Sequence, residues 1–311
     1  MKLFKQSSRP HSRSEEDRAW TILWLGAHKT GTTFLQHALD LSQPSLKESG
    51  VHYVGLDEFR AKYGTPIRRG EDGIAASEYV TRRQGLNLIF DENIPAFVQH
   101  ALKPAGIYPL ATQSADRVLE HLELVPDEIV FGIRSYRTFL PSLYCETLKS
   151  TPFCTFEQFL ARSIERGHAA TDTASLLAQM EHIRWSELLV RLAQHYPDAR
   201  VRTYQYEKLR GNEASLLSAV TELPAARFTL PSAAERPGFS GRAIHELTEL
   251  SRQQKVERST VWDVTQQFPK SSEFSGFAPF DEESSSRLEQ RYRDDLDLLR
   301  ADARVEFIEF G

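Results

Sequence analysis

Thr21-Ile22-Leu23-Trp24-Leu25-Gly26-Ala27-His28-Lys29-Thr30-Gly31-Thr32-Thr33-Phe34-Leu35-Gln36 decides the reading of this chain. An apolar run stops at Gly26, Gly31 follows five residues on, and two threonines open a segment whose Phe34, Leu35, Ala38, Leu39 and Leu41 recur at helical spacing. The pattern predicts a buried strand, a glycine-bounded loop and a helix. Such a loop aims backbone N–H groups at an anion, and glycine both permits the backbone shapes required and keeps Cβ atoms clear of the ligand. ATP-binding P-loops carry lysine directly after the second glycine. Here that place is Thr32, and the cation is Lys29, inside the loop. Gly26, His28, Lys29, Thr30, Gly31, Thr32 and Thr33 are therefore the candidate phosphate ligands. A chance glycine turn between strand and helix is the plain alternative.

Moving outward, Val51–Val54 reads as a brief strand and Leu86–Phe90 as a longer one. Asp91-Glu92-Asn93 and a helical stretch to about Lys103 are expected next. A further strand, Glu128–Ile133, ends in Arg134, with Ser142 eight residues on inside a helix, and Ala199–Tyr204 forms another strand. In open α/β sheets, ligands sit beyond the carboxyl ends of the strands. Arg134 could present a bidentate fork there while Ser142 adds a hydroxyl. Glu92 is placed to accept a proton from an attacking hydroxyl, or Asp91 or Glu92 caps a helix. His52 is the competing base. Two separated phosphate sites, with arginine where a Mg²⁺-binding acid would serve an ATP enzyme, suit a nucleotide with a distant second phosphate and no metal.

In these two places the chain resembles sulfotransferases that use 3′-phosphoadenosine 5′-phosphosulfate (PAPS), especially bacterial P-loop sulfotransferases. They share a Lys-Thr-Gly-Thr-Thr loop for the 5′-phosphosulfate and a strand-Arg…Ser motif for the 3′-phosphate. The likeness extends to Leu46-x-x-x-Gly50-Val51-x-Tyr53, to Trp185 ahead of a strand ending Tyr206-Glu207-x-Leu209, and faintly to Glu235–Arg242, a loop over the cofactor. It departs at Asp91, where the family more often has serine, and at Ser135-Tyr136, where it often has Asn-Pro. The resemblance implies sulfuryl transfer from PAPS to a hydroxyl, less readily an amine, leaving adenosine 3′,5′-bisphosphate. It also implies that Glu92 is the base and that Arg236 and Arg242 are further phosphate contacts. A P-loop kinase using ATP and Mg²⁺, and an inactive nucleotide-binding protein of the same shape, are the alternatives.

The chain's 311 residues suffice for a large core, and one α/β domain over 19–311 is expected after a flexible tail, 1–18, poor in apolar residues. Its fold class is a P-loop-type parallel sheet of four or five strands flanked by helices, with a helix-rich C-terminal half. A net charge of −5 argues against general nucleic-acid binding. Two cysteines, Cys145 and Cys154, make neither a disulfide framework nor a Cys-rich zinc site, and point to a reduced, cytoplasmic protein. No apolar run reaches the ~20 residues of a membrane span. The acceptor is a small molecule or a carbohydrate, and the oligomeric state is left open. Residues 57–85, with Arg60 and Arg69 among acids, read as a solvated surface or as an acceptor wall, and 253–282 as a lid or acceptor-side loop. Thr155 and Gln158 form a capping box, and one long helix spans Thr173–His195 with Trp185 on its buried face.

Overall fold

The structure, a computed structural model, describes residues 18–71, 80–81, 83–164, 172–232 and 238–309. The expected tail and Arg236 lie outside these, apart from Arg18.

Six strands form one parallel sheet: β1 (Trp20–Trp24), β2 (Val51–Tyr53), β3 (Leu86–Phe90), β6 (Glu128–Ile133), β7 (Arg200–Gln205) and β8 (Val305–Phe307), in the order β2-β3-β1-β6-β7-β8. The short strands β4 (Leu102–Lys103) and β5 (Gly106–Ile107) pair with each other. The sixth sheet strand, β8, escapes a sequence reading because only three residues pair and Glu306 interrupts their hydropathy.

Helices cover both faces, so the central strands are apolar on both sides rather than alternating. Ile22 and Trp24 face the helices Thr32–Leu41 and Glu213–Thr221, with Leu35, Leu39, Leu216 and Leu217 in one core. Leu23, Ile129 and Phe131 belong to the other core, with the helices Ala111–Leu122, Trp185–His195 and Glu282–Ala301. The chain leaves β1 toward β3 on one side and later returns to β6 on the other. The carboxyl ends of β3, β1 and β6 are therefore neighbours, and a crevice opens where the strand order reverses.

Two expectations differ. The helix over 173–195 is two helices, Thr173–Ala178 and Trp185–His195. Buried Arg291 donates to the carbonyls of Met180 (2.8 Å) and Leu177 (3.1 Å), ending the first helix. One turn on, Asp295 accepts from the Trp185 N–H (2.8 Å), starting the second. The break is thus imposed by a distant helix and leaves no mark in the local periodicity. No helix follows Asn93 either: Asp91 Oδ1 accepts from the Asn93 N–H (2.9 Å), closing an Asx turn, and the chain runs through Pro95 to the single 3₁₀ turn Val98–His100. The capping-box reading at Thr155 holds, with its N-cap accepting from Gln158, and Ser240 caps the helix Gly241–Ser251.

Candidate active site

The loop after β1 has the shape its glycines predict. Gly26 (φ 57°) and Gly31 (φ 83°) are left-handed, and a Cβ at Gly31 would stand 2.6 Å from Leu209 Cδ2. Lys29 shares that backbone region at φ 68°, uncommon for a side-chain-bearing residue and typical of strained functional loops. The loop is braced from within by Thr30 Oγ1 donating to the Ala27 carbonyl (2.7 Å) and from β7 by Tyr204 Oη donating to the Thr30 carbonyl (3.3 Å). Gly31 starts the helix Thr32–Leu41 without a side-chain cap, so the first N–H groups are left for another acceptor.

Arg134, at the end of the adjacent strand β6, lies against this loop. Its Nη1 donates to the Lys29 carbonyl (2.7 Å), its Nε donates to Thr138 Oγ1 (2.8 Å), and its guanidinium lies 4.4 Å above the Tyr206 ring. Trp185 Nε1 donates to the Arg134 carbonyl (2.8 Å), fixing the strand end. Trp185, fully buried, is thereby both core and anchor. Among the described residues Arg134 makes no ion pair. Burial lowers its pKa, offset in part by Tyr206 and Glu207.

Lys29 and Arg134 line one cavity of about 900 Å³, together with Thr32, Thr33, His37, Glu92, Asn93 and Tyr206. Lys29 Nζ pairs with Glu146 Oε2 at 3.1 Å, and Lys149 meets the same oxygen at 2.8 Å. Burial would raise the Glu146 pKa, but the two lysines hold it below the ordinary carboxylate value. Ser142 opens instead into an adjoining space of about 120 Å³, shared with Lys29, Glu146 and Lys270. Lys270 belongs to the segment 253–282, which thus lines the adjoining space but not the cleft itself.

The carboxyl end of β3 supplies the opposite chemistry. Arg60 Nη2 meets Asp91 Oδ1 at 2.6 Å and Glu92 Oε1 at 3.0 Å, and Gln36 Nε2 donates to Glu92 Oε2 (2.8 Å). Burial works to raise the Glu92 pKa, yet Arg60 and the Gln36 hydrogen bond outweigh it and hold Glu92 below its ordinary value. For Asp91 burial wins, against Arg60, and its pKa is raised. Arg60 opens a π-helical stretch, Arg60–Gly64, inside a helical run over 56–69. Such stretches recur at functional sites.

His28 is buried behind the loop. Its backbone N–H donates to Tyr108 Oη (2.9 Å), and its Nδ1 lies 2.9 Å from the same oxygen. Asn93 satisfies both neighbours when its amide oxygen accepts from Arg60 Nη2 (2.7 Å) and its NH₂ donates to His28 Nε2 (3.2 Å). Burial lowers the His28 pKa despite nearby Glu92, so the ring is neutral near pH 7.

Not every expected residue is brought in. His52 lines a separate pocket with Phe59 and Leu88 and no loop residue. Arg242 pairs with Glu246 (2.6 Å) on the face of its own helix and lines neither space beside Lys29. The sequence reading passed over His37, Tyr108, Glu146 and Tyr206. Tyr206 had a signal, since it follows β7 next to Arg134's own strand, and so did His37 and Glu146, four residues after Thr33 and Ser142 on the same helices; Tyr108 becomes visible only by tertiary contact. No helix among the described residues is long and apolar enough to cross a membrane. No protein-family model matches this chain, and no curated protein matches it.

Proposed function

We propose that the protein is a PAPS-dependent sulfotransferase acting on a hydroxyl acceptor. The observation that carries this reading is Arg134, a largely buried guanidinium that makes no ion pair among the described residues and has Glu207 only as a more distant charge, sharing a cavity with the Lys29 loop. A buried cation is costly unless an anion compensates it, so a cleft built this way favours an anionic ligand. The glycine-bounded loop, with the uncapped start of its helix, supplies a second group of anion donors beside Arg134, and the residues present fit a nucleotide that carries two phosphates.

PAPS, when bound, supplies an activated sulfuryl group. Lys29, the hydroxyls of Thr32 and Thr33 and the free N–H groups of the helix start would hold its phosphosulfate end and stabilise charge growing on leaving oxygens. Arg134 would hold the 3′-phosphate. Ser142 lies in the adjoining space and reaches that phosphate only if the ligand extends there. Glu92, kept ionised by Arg60 and Gln36, is available to accept the acceptor proton, an effect typically worth about 10²–10⁴-fold. His28, Asn93 and Arg60 orient that corner.

Melting-temperature titration tests the reading. Adenosine 3′,5′-bisphosphate at 100 times its Kd is expected to add about 2.7 kcal/mol of stability, and ATP with Mg²⁺ far less. A larger shift with ATP and Mg²⁺ would reassign the cleft to a kinase.

A further inference from the structure

Beside the main cleft lies a second space of about 360 Å³, within the size range of small-molecule sites. The two share Asn93 and Phe97 as lining residues. Ile67, Ile94, Pro95, Ala96, Leu110 and Val118 make half of the rest of its wall, and His100, Lys103, Ser114 and Arg117 supply its polar groups. Phe97 and Leu110 are exposed, at 40% and 55%, although both are large and apolar. Among the described residues no carboxylate lines this slot, whereas Lys103 and Arg117 do and make no ion pair.

From these observations we infer that the slot binds the apolar body of the acceptor, a neutral or anionic aryl or alkyl alcohol, and leaves its hydroxyl at Asn93 beside Glu92. This assignment rests on the transferase reading above. Three features carry it. The slot shares with the cleft the wall residue Asn93, which is next to the proposed base. Its walls gain by excluding water from an apolar ligand. Its only charged side chains are cationic, which disfavours a cationic occupant. A carbohydrate, with hydroxyls on every side, would leave donors and acceptors unmatched against Ile94, Pro95 and Leu110.

The experiment is calorimetric titration of the full chain, saturated with adenosine 3′,5′-bisphosphate, by phenol, 4-ethylphenol and 4-butylphenol. Affinity is expected to rise about fourfold per added methylene, the value for burying one CH₂. Leu110→Glu, at an exposed position, and Ala96→Phe, which fills the slot, should each flatten that series while leaving bisphosphate binding unchanged. Bisphosphate binding with a flat series in the wild-type chain, or a series unaltered in both variants, overturns the slot alone. A wild-type chain that does not bind the bisphosphate overturns the transferase reading, and the acceptor role of the slot with it.

Discussion

Two arginines line the same cleft and are treated in opposite ways. Arg60 is held by two carboxylates, Asp91 and Glu92, while Arg134 has only a carbonyl, a hydroxyl and an aromatic face. Both are partly removed from water, yet only Arg60 is ion-paired from within the chain, while Arg134 is offset in part by the more distant Glu207. The difference teaches where a buried cation is paired within the chain and where it is left for the proposed ligand. The Arg60 corner is a finished internal network that sets the state of Glu92. The Arg134 corner, with Tyr206 and the Lys29 loop as its walls, is the proposed anion site.

The contrast can be broken most severely at Arg60. Replacing it by Met leaves Asp91 buried without a cation, and urea unfolding should show a loss of about 3–5 kcal/mol. A loss no larger than that of Arg134→Met would dissolve the distinction. Lys29→Ala comes next: turnover should fall by about 10²–10³-fold, the cost of removing one charge-stabilising donor. Its fold should persist by circular dichroism, since Glu146 keeps Lys149 at 2.8 Å. Arg134→Met should reduce bisphosphate affinity by about 10–100-fold, the worth of a hydrogen bond to a charged group, with a smaller effect on the unliganded chain.

The smallest effect is a pH dependence. The folded-state pKa of His28 is depressed below the ordinary 6.5, so below that pH the unfolded chain binds a proton that the folded chain refuses. Stability is full above about pH 6.5 and declines as pH falls toward the folded value. His28→Gln should flatten unfolding midpoints measured between pH 6.5 and 5, and an unchanged slope would show that this ring is not the group responsible.

Much of this comparison was legible in the sequence, but unevenly. The Lys29 loop and Arg134 could be read because each follows an apolar strand directly, so chain position fixes them at neighbouring strand ends once the sheet forms. Glu92 was legible for the same reason. Arg60 was not singled out, because its partners lie about 30 residues on and its π-helical backbone has no simple repeat. His52 misled because β2 is an edge strand whose side chain at that position faces another pocket. The split at residues 179–184 depends on Arg291 and Asp295, more than 100 residues away.

The central claim is that the Arg134 guanidinium awaits a 3′-phosphate. Calorimetric titration of wild-type and Arg134→Met protein with adenosine 3′,5′-bisphosphate and with adenosine 5′-phosphate tests it directly. Wild-type protein should prefer the bisphosphate, and the variant should lose that preference while binding the monophosphate as before. Equal weakening of both nucleotides, or of neither, would contradict it.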